Sequence, residues 1–138
     1  MKLKLLAALT PLAFFFTTAR AADAMDEKQF QKSMKEVGRL TKGFKDNMQA
    51  KNAAAIEKDS TRIAELYTQM GAFWKARKTD DAAKWSDQSS SAASATAAAA
   101  KAGDWDKVKS SWGPVNQNCK SCHEAHRQKL PDGGYKIK

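Results

Sequence analysis

Between Asp26 and about Gln49 the apolar side chains fall at Phe30, Met34, Val37, Phe44 and Met48, with Thr41 in the intervening slot. Alternating steps of four and three place them on one face of an α-helix. A second stripe, Ile56, Ile63, Tyr67, Met70 and Trp74, follows a capping Asn52 and predicts a helix to about Lys78. Thr79 to Ser86 breaks the rhythm and reads as a connecting loop, with Trp85 plugging one end of the assembly. From Asp87 to Ala102 the chain is nearly all Ala and Ser. Alanine favours helix, so this third segment is either low-complexity filler or a helix small enough to approach its neighbours or a ligand closely. Gly103 ends it and Asp104 caps a fourth helix, whose stripe runs through Trp105, Val108, Trp112, Val115, Cys119, Cys122, His126 and Leu130. Pro114 is expected to kink that helix or split it after Trp112. No strand pattern is visible, and Gly and Pro are sparse, at 7 and 3 residues. Four amphipathic helices on short connections predict an all-α, antiparallel up-down-up-down four-helix bundle.

The first 21 residues do not belong to that pattern. Lys2 and Lys4 precede an apolar run from Leu5 to Phe16, and Ala19-Arg20-Ala21 offers the small-x-small sequence that signal peptidase reads. The run is too short for a membrane span, which needs about 20 apolar residues, and Pro11 interrupts it. We therefore expect a signal peptide at 1–21, a single domain at 22–138, a periplasmic location and no membrane-spanning segment after cleavage. Removing the signal takes away Lys2, Lys4 and Arg20 and no acid, so the net charge falls from +9 to +6. The lysines are spread over every helix, which reads as a solvated surface of mixed sign more than as a binding block. An exported chain without a binding motif gives no reason to expect a nucleic-acid partner.

The chemistry sits at Cys119-Lys120-Ser121-Cys122-His123. C-x-x-C-H is the attachment site of a c-type haem: two thiols three apart on a helix point the same way and can form thioethers with the two vinyl groups of one porphyrin. His123, next in the chain, reaches the iron from that side through its neutral imidazole. A thioredoxin-like redox pair would need a βαβ setting. Zinc has a formal ligand set in Cys119, Cys122, His123 and His126, but four ligands along one side of a single helix cannot readily enclose a metal tetrahedrally. A helical domain without haem would leave the motif unexplained. His126 lies less than a turn from His123, on the same side of any porphyrin bound there, and cannot be the trans ligand.

With this motif near the C-terminus of a four-helix pattern, the chain resembles a class II c-type cytochrome, the group containing cytochrome c′ and its low-spin relatives. The likeness is densest over Ala102-Gly103-Asp104-Trp105-Asp106-Lys107-Val108 and Cys119 to Arg127, and Lys84-Trp85-Ser86-Asp87 is similar to the approach to the group's third helix. Gln31-Lys32-Ser33-Met34-Lys35-Glu36-Val37-Gly38-Arg39 is similar to the first helix of the low-spin members. The resemblance implies one covalent haem c on Cys119 and Cys122, His123 as proximal iron ligand, and Met34 as ligand on the opposite side. Arg127 resembles an arginine beside the proximal histidine. Two departures stand out: Phe30 occupies the place of an arginine near the haem propionates, and His126 that of an aromatic.

The leading expectation is therefore a non-enzymatic, monohaem, His/Met low-spin one-electron carrier working between soluble or membrane-bound redox partners. A thioether ligand favours Fe(II) and raises the reduction potential. The competing expectation is a five-coordinate, high-spin cytochrome c′ that binds nitric oxide or carbon monoxide, with Met34 only lining the pocket. The resembled group often pairs through its first two helices, which makes a homodimer one expected state.

Overall fold

The computed structural model describes residues 25–138, so the expected signal at 1–21 lies outside the described residues. Five helices and a short hairpin follow in order: α1 Glu27–Lys42, α2 Phe44–Gln49, α3 Ala53–Ala76, α4 Asp80–Lys101, α5 Trp105–His126, β1 Arg127–Lys129 and β2 Tyr135–Ile137. The four long helices form the expected all-α four-helix bundle, α1 packing on α3, α3 on α4 and α4 on α5, while α1 and α5 barely touch.

Local chemistry sets the helix starts. Asp26 accepts from the Gln29 backbone N–H at 2.7 Å while the Gln29 side chain accepts from the Asp26 N–H at 3.0 Å, a reciprocal capping box. Asn52 caps α3 through the Ala55 N–H at 3.2 Å, and Asp104 caps α5 through the Lys107 N–H at 3.0 Å. Such a cap contributes about 1 kcal/mol.

Several boundaries differ from the expectations. The first helix breaks at Gly43 into α1 and α2, and Phe44 on the short second piece stacks on Trp112 of α5 at 3.9 Å between centroids. The expected loop from Thr79 to Ser86 is instead the start of α4. Asp80 and Asp81 stand in its first turn, where negative charge complements the helix dipole, and Trp85 is a helical residue. Pro114 neither ends nor splits α5. It is exposed, so its ring faces water, and buried Trp112 and Val115 hold the helix to the bundle on either side. The fourth stripe stops at His126, and Leu130 belongs to an antiparallel hairpin that pairs Arg127 with Ile137 and Lys129 with Tyr135.

The Ala/Ser-rich α4 acts as a close-packing surface. Ala82, Ala83, Ser89, Ala93, Thr96, Ala99 and Ala100 are buried, and α4 packs against α3 more extensively than any other two helices do. Gly71 of α3 is part of that approach, since a Cβ there would lie 2.9 Å from Asp87 Oδ1. One part of the core gathers Phe30, Val37, Ile63, Leu66, Met70, Phe73 and Trp74. A second, around Ile56, Ala99, Ala100 and Val108, fills the other end.

Candidate functional site

Because α1 and α5 stand apart, a cleft of about 800 Å³ opens between them, with α3, α4 and the C-terminal hairpin as its remaining walls. This is within the size range of cofactor sites. Cys119, Cys122 and His123 project into it from α5, and Met34 from α1, so one cleft gathers all four residues singled out in the sequence. The chain order explains the placement: residues 119, 122 and 123 continue the inward stripe of α5 after Val115, and Met34 follows Phe30 by four on α1.

The two cysteines are free and partly buried. Burial pushes the Cys119 thiol up, against the Tyr67 hydrogen bond that pulls it down. Cys122 is pushed up to about 11, first by burial and then by the negative charge of Cys119 and Asp81. Neither is the low-pKa thiolate that a redox-active pair requires. His123 moves the other way: burial, with the Arg127 charge beside it, lowers its pKa below 6.5, so the imidazole is neutral at neutral pH and has a nitrogen lone pair for a metal. Among the described residues no three His, Cys, Asp or Glu side chains converge on a point that could hold a bare metal ion. His126 turns away from such a set: its Nε2 lies 3.0 Å from Asp81 Oδ2, and its ring sits between Trp74 and Trp85 at 5.3 and 6.1 Å.

Other residues of the site were not singled out in the sequence. The Tyr67 hydroxyl shares a hydrogen bond with Cys119 Sγ at 2.8 Å, and burial raises its pKa, so it stays protonated beside that sulfur. Its inward position was legible from the α3 stripe; its partner was not. Trp85, expected to plug an end, lines the cleft, as do Leu130, Tyr135 and Ile137 of the hairpin. A signal for the hairpin was present in Pro131-Asp132-Gly133-Gly134, a turn sequence flanked by extended residues.

The lining fits a tethered haem. It is mainly apolar, with Phe30, Met70 and Trp74 at its floor. Ser89 Oγ, wholly buried on the same wall, has no hydrogen-bond partner, a polar demand that the protein alone leaves unmet. Gly38 is more telling. It lies mid-helix in α1, where glycine costs about 1 kcal/mol relative to alanine, yet a Cβ there would meet nothing within 4 Å and would point into open space at the cleft. A porphyrin bound in the cleft would find room beside Gly38. Among the described residues no helix is long and apolar enough to cross a membrane.

A family model described as Cytochrome C′ matches residues 21–127. A cytochrome c′ from Alcaligenes xylosoxydans xylosoxydans is 53% identical over 32 residues, which cover 23% of this chain and 25% of that relative. The match thus spans about a quarter of the curated relative's length. No solved structure gives a significant match. These findings overturn the expectation of a low-spin carrier with Met34 on the iron: both descriptions name cytochrome c′, the competing reading, in which Met34 lines the pocket without ligating.

Proposed function

The chain belongs to the cytochrome c′ family, whose members carry one covalently attached haem c, and from that premise we propose that it is a five-coordinate, high-spin haem protein binding nitric oxide or carbon monoxide. The observation that carries the reading is the extent of the family match, which takes in every helix of the bundle and the whole attachment motif. When bound, the haem supplies an iron coordination position and a one-electron couple.

The chain's own residues do the rest. Cys119 and Cys122 hold the porphyrin edge through their sulfurs, and Tyr67 fixes the first of these by its hydroxyl. His123 offers a neutral ring nitrogen on the α5 side. Met34, half-buried and seated on the apolar core, gives the α1 side a dry lining. Such a lining disfavours charged ligands, which would lose hydration on entry, and admits small neutral diatomics. Gly38, one turn further along α1, keeps space free beside it. The protein performs no bond-making chemistry in this reading. Export directed by residues 1–21 would place it in the periplasm, where redox proteins that set the iron's oxidation state are its proposed partners.

Carbon monoxide added to the reduced protein tests this. A saturable shift of the Soret band is expected, with Met34→Leu binding the gas as well as the parent does. A ferrous protein whose spectrum carbon monoxide leaves unmoved would refute the reading.

A further inference from the structure

The hairpin begins where the family match ends, at Arg127, yet it forms part of the cleft wall. It is well anchored. Ile137 packs on the apolar core, the Lys138 N–H donates to the His126 carbonyl at 3.0 Å, and Lys138 Nζ donates to the Glu124 carbonyl at 3.0 Å.

A covalent haem brings two propionate carboxylates, on the porphyrin edge away from the vinyl carbons that Cys119 and Cys122 would tether. Phe30, standing where the resembled group places an arginine, cannot receive them, because its ring is buried against Phe73 and Trp74 at 4.6 and 5.2 Å. Apart from the two histidines, the charged side chains lining the cleft are Lys35, Arg127, Asp132 and Lys136. Two of these are engaged within the hairpin, in different ways. Asp132 Oδ1 accepts the Gly134 N–H at 2.8 Å to hold the turn, and Arg127 lays its guanidinium face over the Tyr135 ring at 4.2 Å, beside His123, with its edge N–H donors free among the described residues. Lys35 and Lys136 form no ion pair among the described residues.

We infer that Lys35 of α1 and Lys136 of the C-terminal hairpin hold the two haem propionates. Both lysines lack an ion-pair partner among the described residues, and charge-assisted hydrogen bonds to carboxylates are about twice as strong as neutral ones. The inference rests on the covalent haem of the preceding section but not on which gas the iron binds.

The test uses the haem-loaded protein and its Lys35→Gln, Lys136→Gln and double variants, with Lys107→Gln on the first turn of α5 as control. The readouts are the propionate-bending bands in resonance Raman spectra and the reduction potential. Each single variant should shift the bands and lower the potential, because a positive charge beside the haem disfavours the ferric state, which carries one more positive charge, more than the ferrous one. The double variant should move further, and the control should match the parent. A double variant with the parent's bands would overturn the inference, as would a shift from Lys107→Gln equal to that of Lys136→Gln. Absence of covalent haem in the parent would overturn it together with the cofactor assignment, whereas absence of carbon monoxide binding would overturn only the proposed function.

Discussion

The two ends of the bundle are built from the same helices and solve opposite problems. At one end Ile56, Ala99, Ala100 and Val108 are almost entirely buried, with Met48, Phe44 and Trp105 packed around them, and protein atoms fill the space. At the other, α1 and α5 separate around about 800 Å³ with an orphaned Ser89 hydroxyl and a glycine facing open room. The first end closes by side-chain complementarity alone. The second is completed by a cofactor: large side chains such as Phe30, Tyr67, Met70 and Trp74 line it without closing it.

The largest way to break this contrast is to remove the tethers. The paired variant Cys119→Ser with Cys122→Ser should lose all haem that survives acid extraction, while helical content at the closed end persists by circular dichroism. Retention of covalent haem would contradict the attachment site. Next, Ile56→Ala should cost about 2–5 kcal/mol in denaturant unfolding. The cost should be the same with and without the cysteines, because the closed end owes nothing to the haem.

Gly38→Ala sharpens the comparison by a change of sign. In the tetherless variant it should stabilise the fold by up to about 1 kcal/mol through helix propensity. In the haem-loaded protein the added methyl should weaken carbon monoxide binding. A uniform stabilisation with unchanged gas affinity would mean that no ligand approaches α1 there.

The smallest effect concerns acid. The Arg62 hydrogen bond holds the Glu36 carboxyl below 4.5, and the His126 bond holds Asp81 below 3.8. For a carboxyl lowered by folding, the stability it adds is present above its unfolded value and is lost as pH falls through its folded one. Each pair has an exposed partner, Arg62 or Asp81, against a half-buried one, so Arg62→Gln and Asp81→Asn should each move the acid-unfolding midpoint only slightly upward, more visibly at low salt.

Much of this was legible in the sequence. The stripes of α1, α3 and α5 reported their buried faces, because in those helices large apolar residues alternate with charged ones. The start of α4 was misread because Asp80 to Lys84 carries no large apolar residue. That turn is helical through its acidic first turn and its alanines, and small buried residues leave almost no periodic signal. The hairpin was missed although its turn residues are explicit, since the α5 stripe appeared to run on through Leu130. At the site, a five-residue motif marked the candidates for the covalent and proximal roles. The opposite wall had no such motif. A methionine on an inward stripe looks the same whether it ligates iron or packs the core, and local likeness around Met34 pointed to the reading that the family match over residues 21–127 overturned.

On that opposite wall, Met34 either reaches the iron or only lines the pocket, and the two arrangements differ in spectrum. Resonance Raman spectra of the ferrous protein without added gas report the iron–histidine stretch, a band seen for five-coordinate, high-spin haem and not for six-coordinate, low-spin haem. The account predicts the band in the parent and, essentially unshifted, in Met34→Leu. A low-spin ferrous spectrum without the band, turned high-spin by Met34→Leu, would contradict it.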